Sequence, residues 1–320
     1  MRSAVRGVWP AAGDTSRGFT RATWTAGYAA PFPPQAGRVT RRARLALRAT
    51  FTGMDEPESG TVERWAWDYV RTTSLAEKLA PVPPPDAWEK RETGEIRRLS
   101  APGRPAELQL RAKAEKTRGL QSEHGRARAL HTFLHHELQA AELMAWAILA
   151  FPEAPHEFRR GLLRVAQDEV RHMNLYAAEI ARLGYAVGAF PVRDWFWERV
   201  PSCATPVSFV ATLGLGLESA NLEHAASFAA RFRQAGDEDA ARVQEIVLRD
   251  EIEHARFGAR WFVELAGPLD FAAWRNELPP PLSPMLMRGT PLQREARLRA
   301  GFPAAFLDEL ERWTPVAPGF

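Results

Sequence analysis

The chain has 320 residues, 45% of them hydrophobic and 25% charged, and a formal charge of +3. These are ordinary globular values that permit a large core, and no apolar run is long enough to span a membrane. The single cysteine, Cys203, excludes an internal disulfide, and the N-terminus lacks the apolar stretch of a secretory signal, so a reducing cytoplasm is the expected compartment.

Charge is unevenly spread. Residues 1–50 hold nine arginines and one acid, Asp14. Residues 51–120 balance, and residues 121–320 carry a net −5. The first 50 residues, rich in Arg, Thr, Gly and Pro, read as a basic, mostly irregular arm, with a short strand or helix between Val39 and Phe51. Such an arm can touch nucleic acid, although a solvated extension is the favoured reading. All eight histidines fall between His124 and His254, which draws metal or proton chemistry to that region.

Residues 51–122 read as a helical cap. A helix spans about 60–80 and is stopped by Pro81, Pro83, Pro84 and Pro85. A Pro-Gly-Arg-Pro turn follows at 102–105, then a helix from Ala106 to Thr117. Four long helices come next, at about 123–150, 155–183, 205–235 and 237–266. Pro155 suits a helix start, Gly184 a helix end and Asp237 an N-cap. The second and third helices are joined by a long connection, 184–204, where Trp195 and Trp197 either close one end of the stack or simply pack. Residues 267–320 are Pro-rich and then helical around 291–313, and form a C-terminal wrap.

The chemistry lies in two copies of D-E-x-x-H: Asp168-Glu169-Val170-Arg171-His172 and Asp250-Glu251-Ile252-Glu253-His254. Residues three apart share one face of a helix, so each copy aims a carboxylate and an imidazole the same way. A further glutamate stands upstream of each. Glu137 precedes Glu169 by 32 residues, and Glu218 precedes Glu251 by 33. A helix of ~20 Å up and ~20 Å back returns each pair to one level. Two hairpins would then deliver four glutamates and two histidines to a common centre. Four ionised glutamates balance two divalent cations; without cations, four like charges in an apolar core cost several kcal/mol each.

Glu142 and Glu223 each lie five residues past a ligand glutamate, about 140° around the helix. They pair with arginines on neighbouring helices, or replace Glu137 or Glu218 if the levels are off by a turn. His135, His136 and His224 flank the centre. Tyr176, one turn past His172, is a hydrogen-bond donor behind the ligands or plain core.

The phrases His-Glu-Leu-Gln-Ala-Ala-Glu (136–142), Asp-Glu-Val-Arg-His (168–172), Glu-Ser-Ala-Asn-Leu-Glu (218–223) and Asp-Glu-Ile-Glu-His (250–254) resemble the ferritin-like superfamily of carboxylate-bridged di-iron proteins, in particular a bacterial branch known only by that fold. Distant relatives include tRNA-modifying di-iron monooxygenases and arylamine N-oxygenases. The resemblance implies an all-α, ferritin-like four-helix bundle over 123–266 with its long connection between helices two and three. It implies two iron ions, or manganese, with Glu169 and Glu251 bridging, Glu137 and Glu218 terminal, and one nitrogen each from His172 and His254. It also implies bonds across the bundle from His172 to Asp250 and from His254 to Asp168.

The expected function is a non-haem di-iron oxidoreductase: an O2-activating oxygenase or oxidase on a small or RNA-linked substrate, with an external electron donor because no nucleotide fingerprint is present. The alternatives are a ferroxidase, a peroxidase, a di-manganese catalase, or a non-enzymatic metal-stabilised binding module.

Overall fold

The computed structural model describes residues 54–90, 95–112 and 119–315. The basic arm, and the strand or helix expected at 39–51, lie outside these residues. Over the described residues the protein is all-α, with one isolated parallel bridge between Leu110 and Val192. No described helix is long and apolar enough to cross a membrane.

Four long helices carry the architecture. Helix α3 (Glu123–Ala150) starts where the Ser122 side chain accepts the Gly125 N–H, and α4 (His156–Arg182) starts just after Pro155. The five-residue turn between them folds α4 back along α3. Helix α6 (Glu238–Ala266) is capped by Asp237, which accepts from Ala240 N–H. Asp237 also forms ion pairs with Arg126 at 2.9 Å and Arg182 at 2.6 Å, tying three helix ends together. Gly236, at φ 77°, makes the turn into α6.

The third long element, α5 (206–234), departs from the sequence reading. It opens as a short α-turn, Pro206–Phe209, widens into a π-helical stretch, Val210–Glu218, and continues as α-helix, Ser219–Gln234. Widening frees carbonyls from their usual partners, and the Ser219 hydroxyl donates to Gly214 O at 3.0 Å. α5 packs against α6, and the two hairpins meet where α4 lies on α6.

The cap differs in detail. The helix expected at 60–80 is two helices, α1 (Val62–Arg71) and α2 (Leu75–Leu79), because Thr72 ends one and Ser74 caps the next. They rest on α3 and α4 respectively. The helix expected at 106–117 is absent from its described part: residues 106–112 form turn and extended chain whose backbone bonds Val192. The C-terminal wrap is also broken. It contains α7 (Phe271–Asn276), α8 (Arg294–Arg299) and α9 (Ala304–Arg312), where one helix around 291–313 was expected. Gly301, at φ 95°, separates the last two.

Candidate metal centre

Each long helix sends acidic groups inward. Glu137 comes from α3, Glu169 and His172 from α4, Glu218 from the last residue of the π-helical stretch, and Glu251 and His254 from α6; all six are buried. They gather into two overlapping groups whose potential ligand atoms lie within 4.8 Å of one another. One group is Glu137, Glu169, His172 and Glu251; the other is Glu169, Glu218, Glu251 and His254. Glu169 and Glu251 belong to both.

Glu169 is central. Its Oε2 lies 3.0 Å from His172 Nδ1 and its Oε1 lies 2.9 Å from His254 Nδ1. The two imidazole rings stand 5.7 Å apart. Both turn Nδ1 inward, so Nε2 points away from the cluster. His172 Nε2 meets Asp250 Oδ2 at 3.2 Å, and His254 Nε2 meets Asp168 Oδ2 at 3.4 Å. Each bond runs between α4 and α6, in the pairing that the resemblance implied.

The electrostatics follow from four carboxyls and two imidazoles sealed together. Burial, then repulsion from Glu169 and Glu251, drives the carboxyl groups of Glu137 and Glu218 well above their usual range. Burial would raise Glu169 too, but the imidazoles of His254 and His172 outweigh it and hold that carboxylate well below the usual range. Burial would lower His172, but Glu169 and Asp250 outweigh it and lift the imidazole to about 10. His254 is raised likewise against its burial, by Glu169 and Asp168. The cluster therefore calls for cations: either protons on these groups or metal ions that displace them.

A donor set can be tested by what its atoms lack. Glu169 Oε1, Glu218 Oε1, Glu251 Oε2 and His254 Nδ1 are buried and have no hydrogen-bond partner among the described residues. Orphaned buried acceptors are costly. Carboxylate oxygens with two imidazole nitrogens are the donors that iron and manganese take. The residues present fit a metal ion.

Two contributors were not singled out in the sequence. Asn221 donates from Nδ2 to Glu251 Oε1 at 2.8 Å. It stands three residues after Glu218, a spacing that puts both on one helical face. Arg171 occupies a variable place inside the first D-E-x-x-H, and its role appears only when α4 and α6 are seen together.

The flanking groups sort differently. Glu142 and Glu223 stand outside both groups. Glu142 takes a forked bond from Arg104 at 2.5 and 2.8 Å and an ion pair from Lys78 at 2.8 Å, with Trp197 Nε1 donating at 2.8 Å. Lys78 and Glu142 are both wholly buried, and burial draws the ammonium down to about 8 despite Glu142. Arg104 also holds Asp194, which faces His135 Nε2 at 3.0 Å. This network pins the cap and the 184–204 connection to α3. Trp197 thus serves the cap junction, while Trp195 lies under the Arg199 guanidinium, 4.0 Å away. Glu223 takes Arg297 at 2.7 and 3.0 Å and two backbone N–H groups, from Gly289 and Gln293, which fastens the C-terminal wrap to α5.

His135 belongs to the cap network, His136 stacks on Phe196 at 5.2 Å, and His224 is exposed. Tyr176 is core, its phenol raised by burial and then by Glu137, Glu251 and Glu169 nearby. A groove of about 450 Å³ on the cap, lined by Trp65, Tyr69 and Pro81 among others, contains none of the six central residues.

Fold and centre together define an all-helical protein with two adjoining Glu/His clusters able to hold metal. The chain belongs to the family described as "Protein of unknown function (DUF455)", whose model matches residues 63–308 and so takes in cap, centre and most of the wrap. It is 30% identical over 201 residues to a Haemophilus influenzae protein named "Uncharacterized protein", a match covering 60% of this chain and 69% of that one. No solved structure matches it.

Proposed function

We propose that this chain is a ferritin-like, carboxylate-bridged di-iron oxidoreductase that activates O2, with manganese as the alternative metal. The observation that carries the reading is the sharing of Glu169 and Glu251 by two groups of four ligands. A lone metal site needs no shared residue; two adjacent ions bridged by carboxylates need this one. The ferritin-like bundle is the finer form of the fold: two helical hairpins joined by the long 184–204 connection, each giving one Glu and one Glu-x-x-His.

In this reading Glu137, Glu169, His172 and Glu251 hold one ion, and Glu169, Glu218, Glu251 and His254 hold the other. When bound, the metals supply the electrons and Lewis acidity for oxygen chemistry. The chain's own residues do the rest. Asp250 and Asp168 accept the Nε2 protons of His172 and His254, fixing each ring with Nδ1 inward. Asn221 orients Glu251. All six central residues are buried, which keeps bulk water from the cluster. An external donor would return the electrons that the metals give up.

The test is anaerobic loading with ferrous iron followed by O2. Two iron ions per chain and O2 uptake that quickens with a small organic substrate are expected. Retention of no iron or manganese would end the metal reading. Rapid ferric accumulation without any substrate would shift it to a ferroxidase.

A further inference from the structure

Behind the centre, one guanidinium meets both of the carboxylates that hold the ligand imidazoles. Arg171 Nη2 lies 3.0 Å from Asp168 Oδ1 and 3.0 Å from Asp250 Oδ2. The same Asp250 Oδ2 accepts from His172, while the other oxygen of Asp168 accepts from His254. The chain of contacts therefore runs His172–Asp250–Arg171–Asp168–His254, from one proposed half-site to the other, outside the metal cluster.

The internal repeat makes this informative. The two motifs match at Asp, Glu and His, but where the first has Arg171 the second has Glu253. Glu253 does not join the chain; it pairs with Arg256, three residues along its own helix. A true repeat with two arginines would give each aspartate its own cation. Here one cation serves two acids, so neither aspartate keeps its place independently of the other. Burial also separates the parts: both imidazoles are buried, whereas the side chains of Arg171, Asp168 and Asp250 are 47%, 44% and 32% exposed. Exposed ion pairs add little to folding stability. What this one controls is orientation, because hydrogen-bonded partners behind a ligand typically change metal affinity by about 10–100-fold.

We propose that Arg171 is a positioning residue that joins the two metal half-sites, by holding Asp250 against His172 and Asp168 against His254 at once. This rests on the di-metal reading above. Removing the guanidinium leaves two like charges side by side, and each swings toward solvent and away from its imidazole. Because one nitrogen makes both contacts, a lysine ammonium can replace it, whereas methionine cannot.

The experiment titrates the full-length metal-free protein with cobalt(II), following the visible bands of the bound ion and calorimetric heats. Arg171→Met, Arg171→Lys, Asp250→Asn and Asp168→Asn are compared with wild type after circular dichroism confirms each is folded. In wild type two cobalt ions bind. Arg171→Met is expected to weaken both by about tenfold or more and to alter the bands of both; Asp250→Asn and Asp168→Asn each act mainly on one. Adding Arg171→Met to either aspartate variant should cost less than the two changes separately. Arg171→Lys should restore most of the affinity. Wild-type binding of both ions by Arg171→Met overturns the proposal while leaving the di-metal reading intact, as does a lysine variant no better than methionine. Failure of the wild-type protein to bind any cobalt, manganese or iron overturns both.

Discussion

Glu169 Oε1 and His254 Nδ1 face each other across α4 and α6 at 2.9 Å, yet neither atom has a partner of hydrogen-bonding geometry. A buried carboxylate oxygen and a buried ring nitrogen so placed are directed at a common point between them. Through its other oxygen Glu169 also meets His172 Nδ1, there in a hydrogen bond of 3.0 Å, so it serves both sides of the centre, whereas Glu137 serves one. Glu169→Gln should therefore lose both ions, and Glu137→Gln chiefly one. Metal content of each purified variant after loading with manganese or iron checks this. Full loading of Glu169→Gln would show that Glu169 bridges nothing.

The pH dependence of the metal-free protein carries a definite sign. His172 is raised from 6.5 to about 10 and His254 is raised as well. Folding then holds protons that the unfolded chain releases. That stabilisation is complete below about pH 6.5 and is lost as pH climbs toward 10. Glu137 and Glu218, also raised, act in the same direction. Lys78, lowered to about 8, opposes them only above pH 8, and His131, drawn by burial to about 4, opposes them only below 6.5. Between pH 6.5 and 8 the metal-free protein should lose stability as pH rises, by up to about 1.4 kcal/mol per pH unit for each imidazole. Metal displaces those protons, so loading should release acid and tighten as pH rises. Melting temperatures across this window with and without manganese, and proton release in weak buffer, measure both. A metal-free melting temperature that rises from pH 6.5 to 8 would contradict the charge assignment.

Glu142 sits five residues from Glu137 but does a different job. It is buried against Lys78 and Arg104, and both of its oxygens are used. Removing one partner of a buried ion pair typically costs about 3–5 kcal/mol. Lys78→Met leaves Glu142 with Arg104 and Trp197 and should lower stability by an amount toward the small end of that range; Glu142→Ala, which leaves buried Lys78 with no carboxylate and Arg104 with Asp194 only, should reach the large end. Both folded variants should still take up two metal ions. Denaturant unfolding and metal analysis separate the two effects. A Glu142→Ala protein that is fully stable but holds a single ion would return Glu142 to the ligand set.

The sequence was most legible where one face of one helix decides the outcome. The D-E-x-x-H copies, the breaker at Pro152–Pro155 and the Asp237 cap place the long helices to within a residue or two, and the six central residues meet inside them. What stayed hidden depends on contacts between segments far apart in the chain. Lys78, which nothing in the sequence singles out, gains its role only when Glu142, with Arg104 and Trp197, is brought to it from other segments. The split at Thr72–Ser74 turns on two side-chain caps inside an otherwise helical pattern. Residues 106–112 have helical composition, but the backbone of Gln109 and Arg111 is taken by Val192 on the connection. The π-helical stretch has no periodic signature. Its nearest cue is Gly214 and Gly216 in an apolar run; Gly216 makes room for Met287 of the wrap, and Gly214 has a packing reason that only the neighbouring helix reveals.

That reason yields the last expectation. Gly214 on α5 and Gly258 on α6 meet backbone to backbone. A Cβ on Gly258 would stand 2.9 Å from the carbonyl carbon of Gly214, and a Cβ on Gly214 would stand 3.1 Å from the Cα of Gly258. Backbone cannot turn aside as a flexible side chain can, so a methyl group at Gly258 must push the helices apart. The two glycines lie four residues from Glu218 and four from His254, on the turns next to those ligands. Gly258→Ala should cost about 1–3 kcal/mol, the usual range for overpacking a core. It should also weaken the ion held by Glu218 and His254 more than the one held by Glu137 and His172. Gly161→Ala is the control. Its Cβ would strike the ring of Phe257, a side chain that is only partly buried and can rotate away. Two-site cobalt titrations of both variants, with melting temperatures alongside, distinguish them. Equal weakening of both ions in Gly258→Ala, or none, would mean that the glycine contact does not set the distance between Glu218 and His254.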